Sequence, residues 1–396
     1  MEVHIQPQAL ADAVVDNVVP SSNSSTSNVT VIPVPAALID TAFSSSTNIT
    51  TTVLGASIVS FSDEYFASAS NLLTPTPPIR KAGVFVHTGA WYDGWETRRH
   101  NSKEYDWVVI KLGCVARIDA VEVDTAYFNG NEAPLAGLDG CSISKEEEQS
   151  SGVAKEDFSG WTEILPPSKC GPSQRQAWKV SWPAVQGKEF THLRLKQYPD
   201  GGIARLRVFG TVVPPSLPAS VTSGKEARPL EDLASALNGG VAIECSDQHF
   251  GGKHYLVLPG RGKDMGDGWE TARSRVKGHT DWAIIRLGLR GRKIEKVVVD
   301  TKDFRGNFPR AVKVEAWATE VAKAALGTES DPKADGAGWK ELIKGEQPCQ
   351  ADHEHEFEDD RLVVSEPPEG YVWTHVKMTI IPDGGVKRIR IFGRRA

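Results

Sequence analysis

Asp93-Gly94-Trp95-Glu96-Thr97-Arg98-Arg99 returns further along the chain as Asp267-Gly268-Trp269-Glu270-Thr271-Ala272-Arg273. Each copy puts a tryptophan, an acid and an arginine beside a glycine, and glycine allows the backbone to turn tightly. The acid offers hydrogen-bond acceptors and the arginine a planar fork of donors to whatever lies over the turn. Alone, such a stretch reads as a structural corner with a buried tryptophan and a local ion pair of little energetic weight. Its repetition, and the text around each copy, give it more meaning.

Working outward, Asp106-Trp107-Val108-Val109-Ile110-Lys111-Leu112-Gly113 is answered by Asp281-Trp282-Ala283-Ile284-Ile285-Arg286-Leu287-Gly288. Both are buried-strand patterns closed by glycine. Val123-Asp124-Thr125 is answered by Val299-Asp300-Thr301, Phe128 to Asn131 by Phe304 to Asn307, and Pro199-Asp200-Gly201-Gly202 by Pro382-Asp383-Gly384-Gly385. The offset between partners drifts from 174 at Trp95 and Trp269 to 183 at Asp200 and Asp383. A small drift places the length changes in loops between fixed strands. Val121 to Thr125, Thr191 to Lys196 and Ile203 to Phe209 alternate apolar with polar residues, as half-buried strands do. Tyr198 to Gly202 reads as a hairpin turn.

These signals predict an all-β chain of two tandem homologous β-sandwich domains. Residues 1–53 form a Ser/Thr/Asn-rich, low-complexity N-terminal extension. The first repeat spans 54–212 and the second 241–396. Residues 213–240 link them, with a stiff Pro214-Pro215-Ser216-Leu217-Pro218 and a short helix expected over Leu230 to Leu237.

Composition narrows the functional classes. Among 396 residues, 40% are hydrophobic and 24% charged, with a formal net charge of −6. Mild acidity favours neither nucleic acid nor an anionic membrane as partner. No apolar run approaches the roughly 20 residues a membrane span needs. Five cysteines form no CxxC. Cys114 and Cys245 read as core thiols, and Cys141, Cys170 and Cys349 as loop residues, in a reducing compartment. No basic region followed by an apolar core opens the chain, so a cytoplasmic location is expected.

There is no GxSxG, Walker A, HExxH or dinucleotide fingerprint. His353 and His355, alternating with acids, read as a solvated surface insertion rather than a metal site, so no metal or other cofactor is expected. Arg205, Arg207, Arg388 and Arg390 read as an outer, solvated strand face. Trp107 and Trp282 read as core. His87 and His100 flank the first corner and have the intrinsic pKa for proton transfer near neutrality. In the second copy Ala272 stands where the first has Arg98.

Gly89 to Asn101, Asp124 to Asn131, Tyr198 to Arg205, Asp267 to Arg275, Asp300 to Asn307 and Ile381 to Arg390 closely resemble the allantoicase family. The resemblance covers both repeats and leaves out the N-terminal segment. It implies a hydrolase of purine breakdown that splits allantoate into ureidoglycolate and urea. It also implies two jelly-roll, galactose-binding-like sandwiches in a homo-oligomer.

Allantoate carries one carboxylate and two ureido groups on a single carbon. A carboxylate calls for an arginine fork, and a ureido group presents parallel N–H donors that suit a carboxylate. Release of urea needs an acid and a base on opposite sides of the reacting carbon. Arg98, Arg99 and Arg273 are the candidates for the substrate carboxylate, with Trp95 and Trp269 in the binding corner. Glu96 and Glu270 are candidates for ureido recognition within the catalytic set. Asp200, Asp383 and His100 are candidates for proton transfer. The competing reading is a non-catalytic module that binds a sugar or other small ligand through Trp91, Tyr92 and Trp95.

Overall fold

The computed structural model describes residues 30–181 and 187–396. The chain divides into two compact units, Met1–Thr211 and Val212–Ala396. Each is a β-sandwich wrapped around one very long strand.

In the first unit that strand is Asp106–Asp124, 19 residues long. Its first half pairs with Ser57–Phe61 and with Phe190–Tyr198. Its second half pairs with Arg175–Ser181 and Arg205–Val213. One strand therefore belongs to both layers, and the core lies between its halves. Val108, Ile110, Leu112, Ile118, Val121 and Val123 are all buried there. The changeover follows Gly113, where an added Cβ would lie 1.8 Å from the Leu54 carbonyl oxygen. Only glycine admits so close a backbone approach. Leu135–Cys141 and Thr162–Lys169 extend one layer.

The second unit repeats this plan around Asp281–Asp300, 20 residues long. Its first half pairs with Val241–Cys245 and Tyr371–Ile381, and its second half with Arg388–Arg395 and Glu354–Glu358. Gly288 takes the place of Gly113, with an added Cβ 2.0 Å from the Asn238 carbonyl oxygen.

Several expectations change. Thr30–Val34 pairs with Arg175–Ser181, and Thr47–Asn48 with the strand Arg205–Val213, so the first sheet takes residues from within the expected extension 1–53. The serine-rich run from Ser21 to Asn28 lies outside the described residues. Leu230 to Leu237 is not a helix: Glu231–Asp232 adds to the last strand of the second unit, and a 3-10 turn follows at Ala236–Asn238. The acidic text at 353–356 is not a solvated insertion, because Glu354–Glu358 is a sheet strand that places His355 against Val299. The cysteines exchange places: Cys141, Cys170 and Cys349 are buried, while Cys114 and Cys245 are partly exposed. No helix among the described residues is long and apolar enough to cross a membrane.

Candidate active site

The Tyr198-to-Gly202 segment is an arch rather than a hairpin. Phe190–Tyr198 and Arg205–Val213, on its two sides, pair with opposite halves of the long strand rather than with each other. The arch carries Gly202–Ile203 against the duplicated motif, where Gly202 faces Glu96 and Ile203 faces Trp95. Gly201 has φ +139°, and an added Cβ would sit 2.7 Å from the Ala133 nitrogen. At Gly202 it would lie 2.1 Å from the Phe128 ring. Thr97 Oγ1 closes the junction by accepting from the Gly201 amide and from Gln197 Nε2. The second unit pairs Trp269–Glu270 with Gly385–Val386 in the same register.

Both tryptophans are fully buried, and each indole Nε1 donates at 2.8 Å to a backbone carbonyl, Asp63 for Trp95 and Asp247 for Trp269. They hold the corner up from beneath, and direct contact with a substrate is not open to them.

Arg205 and Arg388 also lie beneath the corner, at 0% and 1% exposure, and not on a solvated face. Arg205 donates to Asp93 Oδ2 at 2.7 Å, to the Asp93 carbonyl at 2.9 Å and to the Thr76 carbonyl at 3.0 Å. Arg388 donates to the Asp267 carbonyl at 2.6 Å. The arch turns the first residue of the following strand inward, which overrides the alternation seen in the sequence. A buried guanidinium is tolerable where its donors are engaged as those of Arg205 are; Arg388 Nε has no hydrogen-bond partner among the described residues, and burial pushes the pKa of that guanidinium down to about 10.

Above the tryptophan lies a polar cluster. Glu96 is 6% exposed, and its Oε1 accepts from Asn131 Nδ2 at 2.7 Å. Burial raises the Glu96 carboxyl pKa, while the Asn131 hydrogen bond and nearby Arg99 oppose the rise. Glu96 Oε2 has no hydrogen-bond partner among the described residues. Arg99 places Nε 3.2 Å from Asp200 Oδ1 and donates from Nη1 to the Asn131 carbonyl at 3.3 Å. Asp200 Oδ2 accepts from the Asn101 amide at 2.9 Å. The second unit matches this. Asn307 donates to Glu270 Oε1 at 2.5 Å, Arg273 to Asp383 Oδ1 at 3.3 Å and to the Gly306 carbonyl at 2.8 Å, and the Ser274 amide to Asp383 Oδ2 at 2.8 Å.

The structure therefore brings together Glu96, Arg99 and Asp200 in one corner, and Glu270, Arg273 and Asp383 in the other. Arg98 turns aside: it donates to Asp63 Oδ1 at 2.8 Å, and its guanidinium carbon lies 4.3 Å from the Tyr65 ring centre. His100 is exposed, with φ 65° and no partner among the described residues. Both oxygens of Asp200 and of Asp383 are engaged, one by an arginine and one by a backbone amide. Asn131 and Asn307 are functional candidates that reasoning from ligand chemistry passed over. Their signal was the duplicated Gly130-Asn131 and Gly306-Asn307.

The corners also differ. Ala272 keeps the backbone bond to Asp247 that Arg98 makes to Asp63, but brings no guanidinium. Lys387 stands where the first unit has Ala204; it is fully buried and pairs with Asp267 and, at 3.1 Å, with Asp303. Arg261, answering His87, grips Asp300 with two bonds of 2.8 Å. The equivalent Asp124 accepts from the Ala126 amide, and burial raises its carboxyl pKa.

Among the described residues no three His, Cys, Asp or Glu side chains gather as a metal site would. His355 uses both ring nitrogens within the fold, with Nε2 accepting from the Gln350 amide and Nδ1 bonded to the Val299 carbonyl. The five thiols are pushed up by burial to about 11 or 12, out of the range of a reactive thiolate.

Fold and corner together define a class: tandem β-sandwiches that each present a buried acid, locked by an asparagine, beside an arginine held by a second acid. The family model for the allantoicase repeat matches the chain twice, over residues 47–213 and 231–396. The chain belongs to the allantoicase family. It is 52% identical to the allantoicase of Neurospora crassa over 90% of this chain and 94% of that protein. It is 50% identical to the allantoicase of Saccharomyces cerevisiae, over 86% of this chain and 91% of that one. The crystal structure of the yeast allantoicase superposes with a TM-score of 0.74, covering 92% of this chain and all of that one.

Proposed function

We propose that the chain hydrolyses allantoate to ureidoglycolate and urea at the tryptophan corners. The observation that carries the reading is the pairing of an unengaged Glu96 Oε2 with the part-exposed guanidinium of Arg99. Arg99 Nη2 has no partner among the described residues and is available to the substrate carboxylate. Glu96 Oε2, in the protonated carboxyl that burial favours, is available to donate to a ureido nitrogen. In the reaction, water adds to the central carbon, the bond from that carbon to one ureido nitrogen breaks, and the nitrogen leaves as urea with a proton. The water gives up a proton in turn. A carboxyl whose pKa is raised by burial holds a proton nearer to neutrality than an ordinary glutamate, which suits Glu96 to deliver it. His100, exposed beside this corner, is the candidate base. Asp200 and Asp383 act by holding Arg99 and Arg273.

Urea release from allantoate, measured colorimetrically, tests the reading. Turnover by the wild type and its steep loss in Glu96→Gln are expected; a chain that releases no urea contradicts it. The sugar-binding alternative needs bare aromatic faces. Trp95 is buried, Tyr92 stacks on Phe128 at 4.8 Å, and Lys81 lies over Trp91 at 4.6 Å.

A reducing, cytoplasmic setting and assembly of several copies are part of the proposal. Five free cysteines support the first. The exposed apolar side chains of Ile79, Val84, Phe85 and Val86 support the second.

A further inference from the structure

The second unit holds a cavity of about 410 Å³ lined by Ala227, Arg228, Arg292, Lys293, Glu366 and Arg394. Four of these six are cations, in a chain whose formal charge is −6. The cavity is not part of the corner. On the last strand Arg388 lies opposite Asp300, at the corner, and Arg394 lies opposite Lys293. The six residue steps from Arg388 to Arg394 span roughly 20 Å at about 3.3 Å each.

The fold engages Arg394 and Arg228 and leaves Arg292 and Lys293 largely unspent. Arg394 donates to Glu295 from Nε at 2.8 Å and from Nη2 at 3.5 Å, and from Nη1 to the Arg228 carbonyl, while Arg228 Nη1 donates to the backbone oxygens of Arg395 at 3.2 Å and Ala396 at 3.0 Å. Lys293 Nζ lies 3.9 Å from Glu295, which Arg394 already occupies. Arg292 has no hydrogen-bond or ion-pair partner among the described residues.

The first unit is an internal control. Between Ala116 and Ile118 it has one cation, Arg117, neutralised by Glu189 at 2.8 Å. Between Gly291 and Ile294 the second unit has two, Arg292 and Lys293. Thr211 stands where Arg394 is. Arg228 and Arg394 tie the segment at 228 to the last strand, but the first unit closes at this point without counterparts of both Arg292 and Lys293, so this pair is not needed for closure.

We infer that this cavity binds a phosphorylated small molecule of nucleotide or sugar-phosphate size. Guanidinium forks match phosphate oxygens two by two, and several cations favour more than one anionic group. The volume falls within the usual range for small-molecule sites. Glu366 is the lone acid of the lining and is an acceptor for a hydroxyl or amino group on the same ligand.

Titration calorimetry of the full chain with pyrophosphate tests this. Saturable binding that weakens as salt rises is expected, at least tenfold weaker in an Arg292→Glu/Lys293→Glu variant and unchanged in Arg117→Glu. Urea release and melting temperature of the double variant should match the wild type. Absence of saturable heat, or equal affinity in the double variant, overturns the inference. Loss of urea release in a double variant that still melts normally also overturns it, because the cavity would then belong to the active site.

Discussion

Asn131 donates to Glu96 Oε1 at 2.7 Å, and Asn307 makes the same bond to Glu270 at 2.5 Å. A buried carboxylate with one oxygen tied by an amide is held in a fixed direction, and its second oxygen is aimed. Hydrogen bonds to charged groups contribute about 1.5–3 kcal/mol. Asn131→Ala should therefore lower kcat/KM about ten- to a hundredfold, and steady-state urea release measures it. Because the Asn131 bond opposes the upward shift of Glu96, its loss raises that carboxyl further. The Glu96-dependent pH limb of the reaction should then move to higher pH in the variant. An unmoved limb would show that Asn131 acts only on structure.

The two corners share a plan but not a composition. Glu96 is nearly buried, whereas Glu270 is half-buried and its corner has Ala272 in place of Arg98. Glu96→Gln should cost more turnover than Glu270→Gln. Measuring both variants and the double variant on allantoate ranks the corners, and equal losses would assign them equal work.

Arg205 is fully buried and paired with Asp93 at 2.7 Å. Removing one partner of a buried ion pair costs about 3–5 kcal/mol, because the other charge is left without compensation. Arg205→Ala should lose roughly that much in denaturant unfolding and strand Asp93 beneath the corner. Arg98→Ala, removing an exposed pair with Asp63, should lose about 1 kcal/mol or less.

His192, His355 and His375 all have pKa values held below the ordinary histidine range by burial. A group with a lowered folded pKa takes up its proton more readily when unfolded. The stability tied to the neutral form is therefore complete above about pH 6.5 and is lost as pH falls below it. Protonation at His355 would also break its bond from the Gln350 amide. Melting temperature should fall between pH 7 and pH 5.5, and His355→Gln should flatten that fall. The raised carboxyls act in the opposite sense, gaining stability on protonation at lower pH.

Much of this was legible in the chain. The duplicated Trp-Glu motif, the strand patterns ending in Gly113 and Gly288, and the drift of offsets carry the two sandwiches. What stayed hidden depends on where backbone goes after a turn. Pro-Asp-Gly-Gly looks like a hairpin locally, and only pairing with opposite halves of one long strand makes it an arch. For the same reason Arg205, at a polar position of an alternating strand, could not be seen to point inward. Trp95 and Trp269 stood beside the chemistry in sequence but lie under it in space. Arg98 and Arg99 are neighbours in sequence, yet one leans on Tyr65 and the other on Asp200.

A crystal structure of Glu96→Gln soaked in allantoate tests the central claim most directly. The account predicts the substrate in a tryptophan corner, its carboxylate within hydrogen-bond reach of Arg99 or Arg273 and a ureido group over residue 96 or 270. Allantoate bound away from both corners, with Arg99 and Arg273 untouched, would contradict it.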